Sequence, residues 1–389
     1  MAFPPNRPAR RRWVAIGFLL AAVLATLATP ARCDRKAVLA QLAQMDGQGR
    51  DAAAWDKRRI ELREGFLKGA GLWPLPKQGP LSVVRHSLRA HDGYTVENIA
   101  IETLPGFYCT GNLYRPAPAH GTQPGPGILC PHGHFKPLGR FRPDQQIRCA
   151  QFARMGATVF SYSMVGWQDS QQTTHDDPHV LALQTWNSLK ALDFLASLEG
   201  VDPRRIGMTG ASGGGTQTLY LALLDDRVRA SAPVVILYPW SAPEGCCRCE
   251  GGLPIMRDAH TNCIEFSAAV APRPQLIISV GLDPTYDFPK TGFPFIRRAY
   301  EACQAAGQAE NVHLAQEQHD YGPSKRAAVY EFFARHLGMP AQPEDLARLA
   351  SEKPSQMEVF NAAHSLPAGS LSGTAAVAKA LESLRAAAH

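Results

Sequence analysis

A short apolar run over residues 205–209 leads directly into Gly210-Ala211-Ser212-Gly213-Gly214, and an apolar stretch with helical spacing follows. This order predicts a buried strand, a tight turn and a helix, with Ser212 at the turn. A serine there takes a strained backbone conformation, and the glycines remove side chains that would clash. The pattern therefore predicts a serine held out at the carboxyl edge of a sheet, with the amide of Gly213 directed toward developing negative charge.

Two other interpretations compete for this turn. A dinucleotide-binding loop is disfavoured because the G-x-G-x-x-G spacing is not met, because the turn lies mid-chain, and because no Walker lysine follows. A purely structural strand-to-helix turn stays open on this motif alone. The rest of the chain has to separate it from a nucleophile turn.

Strand and helix patterns alternate from residue 127 to residue 337, after three shorter strand patterns over 82–114. Such alternation predicts an α/β fold with a mostly parallel sheet and helices on both faces. We expect this domain to span 80–340, with a helical appendage over 32–79 and a helical tail over 341–389. A Cys-, Gly- and Pro-rich insertion over 239–265 has the position and length of a lid.

The first 31 residues have the layout of a secretory signal peptide. Arg10-Arg11-Arg12 precede an apolar run over 13–27, and small residues follow it. The run is short for a membrane anchor, so we expect cleavage, no stable membrane insertion afterwards, and a secreted or periplasmic bacterial protein. The net charge of +6 includes four arginines within residues 1–12, and it does not favour nucleic acid as a partner.

Two further residues join Ser212 in loops that follow predicted strands. Asp283 follows the strand over 275–281, and His319 follows the strand over 311–315. Serine, acid, histidine is the chain order of the α/β-hydrolase triad, and loops at one sheet edge bring distant residues together. Asp287, four residues after Asp283, is the alternative acid. The order favours a nucleophilic serine activated by His319.

The loop after the strand over 127–130 reads Pro131-His132-Gly133-His134. A loop of this form supplies an oxyanion-binding amide in lipases, so His134 and Gly213 are the candidate donors. His132 and Trp167 are candidate substrate contacts. A structural role for both loop histidines is the competing interpretation.

No metal or other cofactor is expected. The nine cysteines include Cys246, Cys247, Cys249 and Cys263, which with His260 lack the spacing of a zinc site, so a disulfide or a packed loop is favoured. A metal pair of His132 and His134 is disfavoured because nothing nearby in sequence supplies a third ligand. The odd cysteine count leaves at least one thiol free or paired between chains.

The chain resembles secreted bacterial α/β hydrolases of the acetyl xylan esterase-like group, which overlaps the methyl- and acetyl-esterases of polysaccharides. The resemblance spans about residues 80–340, and this chain has Pro284 where the family pattern has tryptophan after the acid. The matching segments are Pro131-His132-Gly133-His134, Met164-Val165-Gly166-Trp167, Leu183 to Asn187, Gly210 to Thr218, Cys249-Glu250, Ala271 to Pro274 and His319 to Arg326.

The resemblance implies a serine carboxylesterase acting on carbohydrate esters of plant or algal polysaccharides. A serine peptidase of the same fold is one alternative, although the residues before 80 are too few for a gating propeller. A non-catalytic binding protein that retains the fold is the other alternative.

Overall fold

The computed structural model of the chain describes residues 35–77, 79–117, 123–239, 247–251, 256 and 260–388. The expected signal peptide over 1–31 lies outside these ranges, as do Cys246 and other parts of the expected lid. Within the described ranges, no helix has the length and apolar character needed to cross a bilayer.

A single sheet of nine strands forms the centre of the protein. The strands are β1 (Ser82–His91), β2 (Tyr94–Leu104), β3 (Phe107–Pro116), β4 (Gly125–Leu129), β5 (Thr158–Tyr162), β6 (Val201–Ala211), β7 (Val228–Val234), β8 (Gln275–Val280) and β9 (Ala309–Leu314). Their spatial order is β1-β2-β3-β5-β4-β6-β7-β8-β9. Strands β4 to β9 pair in parallel, whereas β1, β2 and β3 form an antiparallel extension joined to β5.

Helices connect the parallel strands and cover the sheet. The α-helices are α1 (Arg35–Asp46), α2 (Ala52–Gly69), α3 (Pro143–Arg154), α4 (Val180–Ser197), α5 (Gly213–Leu224), α6 (Cys263–Ala268), α7 (Phe288–Thr291), α8 (Phe293–Ala302), α9 (Pro323–Leu337), α10 (Pro354–Met357) and α11 (Thr374–Ala386).

Alternate strand residues point to opposite faces of the sheet, and each face has its own apolar cluster. Ile128 and Leu276 pack into the cluster that includes α3 and α9, whereas Leu129 and Ile277 pack into the cluster that includes α2, α4, α5 and α8. Burial on both faces explains why these strands are continuous apolar runs. The predicted fold class, a mostly parallel sheet with helices on both faces, is confirmed.

The N-terminal appendage consists of the two helices α1 and α2. Gly47 and Gly49 lie between them, and the side chain of Asp51 then accepts a hydrogen bond of 2.9 Å from the amide of Ala54. This N-cap begins α2. Its buried face, which includes Phe66, packs against the helical layer of the domain.

The tail over 341–388 contains α10 and α11 with irregular chain between them. Met357 and Val359 are buried, and they lie against the antiparallel end of the sheet. The buried amide of Asn112 on β3 donates to the carbonyl of Met357 at 3.0 Å, and that of Asn98 on β2 donates to two further tail carbonyls. The tail thus completes the polar interior of β2 and β3.

Candidate active site

Loops that follow the parallel strands meet at one edge of the sheet, and these loops carry the candidate residues. His134 follows β4, Ser212 follows β6, Asp283 follows β8 and His319 follows β9. Because β4, β6, β7, β8 and β9 are consecutive neighbours in the sheet, the four loops line a continuous rim.

Ser212 has the strained turn geometry that its glycine neighbours predict. Its φ of 54° and ψ of −126° lie where non-glycine residues are rarely found, and its amide donates to the carbonyl of Val234 at 3.0 Å. A Cβ on Gly210 would lie 2.6 Å from the Gly214 backbone, so the turn requires glycine there. Gly213 begins α5, where backbone N–H groups lack partners within the helix.

The imidazole of His319 pairs with the carboxylate of Asp283. Nδ1 of His319 lies 2.9 Å from Oδ2 of Asp283, whose side chain is only 2% exposed. The other oxygen of Asp283 accepts from the amide and the hydroxyl of Thr285, at 2.6 and 2.5 Å. The alternative acid, Asp287, instead forms an ion pair with Arg35. The structure therefore brings Asp283, and not Asp287, to the histidine.

A buried lysine anchors the loop that carries His319. Nζ of Lys325, at the start of α9, lies 2.6 Å from Glu317 and 2.7 Å from Asp320. Burial raises the pKa of both carboxyls, but the hydrogen bond and the charge of Lys325, together with a further hydrogen bond to each carboxyl, outweigh it, so the pKa of each is lowered. These two ion pairs hold the loop on either side of the histidine.

Phe135 borders both the serine turn and the histidine. An added Cβ on Gly133 would lie 2.8 Å from the Phe135 ring and 3.1 Å from Cβ of Ser212, and the Phe135 and His319 ring centroids are 6.1 Å apart. In the part of the chain that the structure describes, no hydrogen bond joins the Ser212 hydroxyl to the His319 imidazole. The two side chains therefore lie beside the same phenylalanine without direct hydrogen bonding.

His132 stabilises its own loop. It is 1% exposed, its Nδ1 lies 2.8 Å from the carbonyl of Gly133, and its Nε2 accepts from the amide of Met164 at 3.0 Å. Burial lowers its pKa to about 3, so the ring is neutral and its Nδ1–H donates to the carbonyl. The expectation that His132 contacts substrate does not fit this geometry, because both ring nitrogens are engaged by backbone groups.

Trp167 is also mostly covered. It is 7% exposed, and its ring packs against His132, His134 and His175 with centroid distances of 5.4, 5.8 and 5.8 Å. Its expected contact with substrate does not fit this burial either. The tryptophan instead buttresses a group of histidines.

The side chain of His134 packs against Gly213, the first residue of α5. It also lies in a cluster of histidine and cysteine side chains that the sequence does not predict. An added Cβ on Gly213 would lie 2.6 Å from the imidazole. Nε2 of His134 lies 3.0 Å from Nε2 of His175 and 3.2 Å from Sγ of Cys249. With Sγ of Cys247, these four atoms all lie within 4.8 Å of one another.

This convergence corrects the argument that nothing near His134 offers further metal ligands. His175 comes from the loop after β5, and the two cysteines come from the insertion after β7. Cys263, grouped with them in the sequence, lies apart and bonds to the carbonyl of Tyr238 at 3.1 Å. Six other cysteines that the structure describes are free thiols: Cys109, Cys130, Cys149, Cys247, Cys249 and Cys303.

Interactions within the cluster shift the pKa values of Cys247 and His175. Hydrogen bonding with Cys249, and also with His134 and His175, lowers the pKa of Cys247 to about 2 against the opposing effect of burial. Burial lowers the pKa of His175, but its hydrogen bonds to Cys247 and to the carbonyl of Val165, together with nearby negative charge, outweigh burial, so the net pKa is raised. The cluster thus stabilises a thiolate beside imidazole groups.

Comparison with known proteins finds similar chains among solved structures. Methylesterase BT1017, a solved structure, is 37% identical in sequence and superposes with a TM-score of 0.82. The match covers 92% of this chain and 82% of the methylesterase chain. A glucuronoyl esterase from Solibacter usitatus has a TM-score of 0.53 at 16% identity, covering 74% of this chain and 94% of its own, a likeness of fold alone.

Other comparisons are weaker. A protein of Bacillus subtilis (strain 168), provisionally named hydrolase YtaP, is 24% identical over 189 residues. The match spans 44% of this chain and 62% of that relative, less than two thirds of its length. No protein-family model matches the sequence.

Proposed function

Because the chain belongs to the α/β-hydrolase family of acetyl xylan esterase-like carbohydrate esterases, as its likeness to methylesterase BT1017 shows, we propose that it is a serine carboxylesterase acting on methyl or acetyl esters of plant or algal polysaccharides. The observation that carries the proposal is the strained turn of Ser212 on the same sheet edge as the His319–Asp283 pair. The 37% identity to a methylesterase favours methyl esters as the first substrates to test.

In the proposed reaction, the Ser212 hydroxyl attacks the ester carbonyl while His319 takes its proton. Asp283, bonded to Nδ1, holds the imidazole tautomer that leaves Nε2 free for this transfer, and it stabilises the cation that forms. The histidine then protonates the departing alkoxide, which leaves as an alcohol. Water attacks the acyl-enzyme by the same route and releases the acid.

Backbone amides of Gly213 and His134 are the proposed donors to the tetrahedral oxyanion. The close contact of the His134 loop with the start of α5 supports this role, since the two amides then belong to adjoining segments. Each donor of this kind contributes roughly 3 kcal/mol to lowering the barrier.

Catalysis requires the His319 imidazole to reach the Ser212 hydroxyl. Its side chain is 39% exposed, so rotation toward the serine meets little packing resistance. Hydrogen bonds of this kind are often long in ligand-free enzymes and tighten when substrate binds. The proposal therefore includes a small rotation of His319 beside Phe135.

The N-terminal sequence supports export as part of the proposal. Its arginine cluster, apolar run and small residues fit a cleaved signal peptide. Export would bring the enzyme to the proposed polysaccharide substrates, which lie outside the cell. N-terminal sequencing of the protein recovered from the medium or periplasm checks this, and a start near residue 32 is expected.

The test measures hydrolysis by the purified protein of p-nitrophenyl acetate, methyl-esterified pectin, acetylated xylan and a glucuronoyl ester. Replacing Ser212 with alanine should lower kcat by on the order of 10⁴- to 10⁶-fold and abolish labelling by a fluorophosphonate. Ser383→Ala, on the exposed face of α11, is the matched control and should keep full activity. Equal hydrolysis by wild type and Ser212→Ala contradicts the proposal.

A further inference from the structure

We propose that His134, His175, Cys247 and Cys249 form a four-coordinate site for a thiophilic divalent cation, with zinc as the ion of choice. The four side chains offer two imidazole nitrogens and two sulfurs, all within 4.8 Å of one another. This donor set is typical of structural zinc sites, and two thiolates balance the charge of one Zn²⁺.

The spacing of the donor atoms suits a tetrahedral ion. With Zn–N near ~2.0–2.1 Å and Zn–S near ~2.3 Å, neighbouring ligand atoms of a tetrahedron lie roughly 3.3–3.8 Å apart. Nε2 of His134 lies 3.0 Å from Nε2 of His175 and 3.2 Å from Sγ of Cys249. Shifts of a few tenths of an ångström bring these atoms to coordination geometry.

The second ring nitrogen of His175 fixes it as a ligand. Its Nδ1 lies 2.6 Å from the backbone carbonyl of Val165, which makes Nδ1 the donor and leaves the lone pair of Nε2 directed into the cluster. Metal-bound histidines in proteins usually have this arrangement, with the outer N–H held by a carbonyl or a carboxylate.

A buried carboxylate lies near the outer ring nitrogen of His134, within ion-pair distance but beyond hydrogen-bond distance. Nδ1 of His134 lies 3.9 Å from Oε2 of Glu250, a looser contact than that of His175. The other oxygen of Glu250 accepts from the hydroxyl of Thr216 on α5 at 2.8 Å, which fixes the carboxylate in place. Both imidazoles therefore present Nε2 inward, with Nδ1 of His175 hydrogen-bonded to a carbonyl and Nδ1 of His134 near a carboxylate.

The proposed ion joins three separate loops. His134 lies in the loop after β4, His175 in the loop after β5, and both cysteines lie in the insertion after β7. Four protein ligands leave no open position, so the ion has a structural role. If the proposed function is also correct, the ion positions the backbone of His134 near the oxyanion; metal binding itself does not depend on that function.

The first experiment measures metal in the full chain, purified without chelator and dialysed against metal-free buffer. Elemental analysis should find one zinc per chain. Exchange for Co²⁺ should give sulfur-to-cobalt charge-transfer absorption together with the visible bands of a tetrahedral site. Cys249→Ser should lose the zinc and the charge-transfer bands, whereas Cys303→Ser, a free thiol outside the cluster, should keep both.

Glu250→Gln tests the outer contact without touching a ligand. It should weaken zinc binding in a chelator competition by no more than about 10-fold, the lower end of the effect of removing a directly hydrogen-bonded partner, because the Glu250 carboxylate lies 3.9 Å from Nδ1 of His134. If Cys249→Ser does not fold, dialysis of the wild-type chain against a strong chelator replaces it, and the thermal midpoint should then fall and recover on addition of Zn²⁺.

Three results would overturn the inference. These are a Cys247–Cys249 peptide lighter by two hydrogens, which reports a disulfide; absence of stoichiometric zinc both before and after addition of Zn²⁺ to the reduced protein; and unchanged cobalt spectra in Cys249→Ser. Ser212→Ala should bind zinc as wild type does. A chain that holds zinc but hydrolyses no ester would therefore refute the proposed function alone.

Discussion

Two flanks of Ser212 are built in different ways. The acid–histidine flank, Asp283 and His319, follows two adjacent parallel strands, and hydrogen bonds to Thr285 fix its acid. The cluster flank, His134, His175, Cys247 and Cys249, is assembled from loops after β4, β5 and β7. One flank follows the strand order, whereas the other depends on how long loops fold back over the rim.

This difference explains what a sequence can reveal about each flank. Strand ends impose positions on the first few residues that follow them, so chain order alone brings Ser212, Asp283 and His319 to one edge. His175 lies 13 residues beyond the end of β5, too far for the strand to position it. The loops of the cluster flank consequently need contacts with one another to hold their side chains in place.

The largest effect should come from the acid of the acid–histidine flank. Asp283→Asn should lower kcat by on the order of 10⁴-fold, because an amide no longer selects the histidine tautomer or stabilises its cation. Asp287→Asn should change kcat by less than about twofold, since Asp287 pairs with Arg35 at the surface. Steady-state kinetics on p-nitrophenyl acetate measures both variants. A larger loss of kcat in Asp287→Asn than in Asp283→Asn would contradict the assignment of Asp283 as the acid.

A methyl group placed between the flanks should have an intermediate effect. Gly213→Ala adds a Cβ 2.6 Å from the His134 imidazole and equally close to Cε of Met164. We expect kcat to fall by roughly 100-fold with KM little changed, as when one oxyanion donor is misplaced. Gly307→Ala, whose Cβ meets nothing within 4 Å, is the control. Full activity in Gly213→Ala would show that the two flanks are not coupled there.

The smallest effect concerns stability on the acid–histidine flank. Lys325→Met removes the partner of Glu317 and Asp320, and it should lower the free energy of unfolding at pH 7 by about 2 kcal/mol. Both carboxyls have a lowered pKa in the folded state, so their contribution exists above their ordinary values and is lost as the pH falls through the folded ones.

The difference between wild type and Lys325→Met should therefore narrow as the pH falls below the ordinary values of 4.5 for Glu317 and 3.8 for Asp320. Urea unfolding at several pH values measures this, with Lys379→Met on the exposed face of α11 as control. A difference that stays constant down to low pH would mean that packing of the lysine stem, and not its charge, stabilises the loop.

Most of the fold can be predicted from local sequence patterns. The buried strands are read from apolar runs, and the turn at Ser212 from glycines whose replacement would clash. Placement of Asp283 at the histidine, and of Asp287 away from it, depends on the side-chain bonds of Thr285 and Arg35, which no spacing encodes. Backbone groups engage both ring nitrogens of His132, an arrangement that the sequence does not distinguish from an exposed histidine.

The metal cluster lay beyond sequence reasoning for a topological reason. His134 and His175 become neighbours because β5 lies beside β4, on the side away from β6. That strand order is a long-range property of the sheet and leaves no mark in the residues around either histidine. The sequence groups Cys247 and Cys249 with Cys263 and His260, a spacing that disfavours zinc, whereas in the structure they converge with His134 and His175.

The C-terminal tail has a consequence for how the protein is made. The side-chain amide of Asn98 donates only to carbonyls of residues 356 and 358, and Asn112 and Arg140 each donate one of their hydrogen bonds to Met357. Until that segment arrives, the amide of Asn98 lacks acceptors and the other two groups lack one partner each. A nascent chain can form the central strands before residues 356–358 are synthesised, yet its antiparallel edge stays incomplete until they are. Proteolysis of a chain that stalls before this segment should begin at that edge.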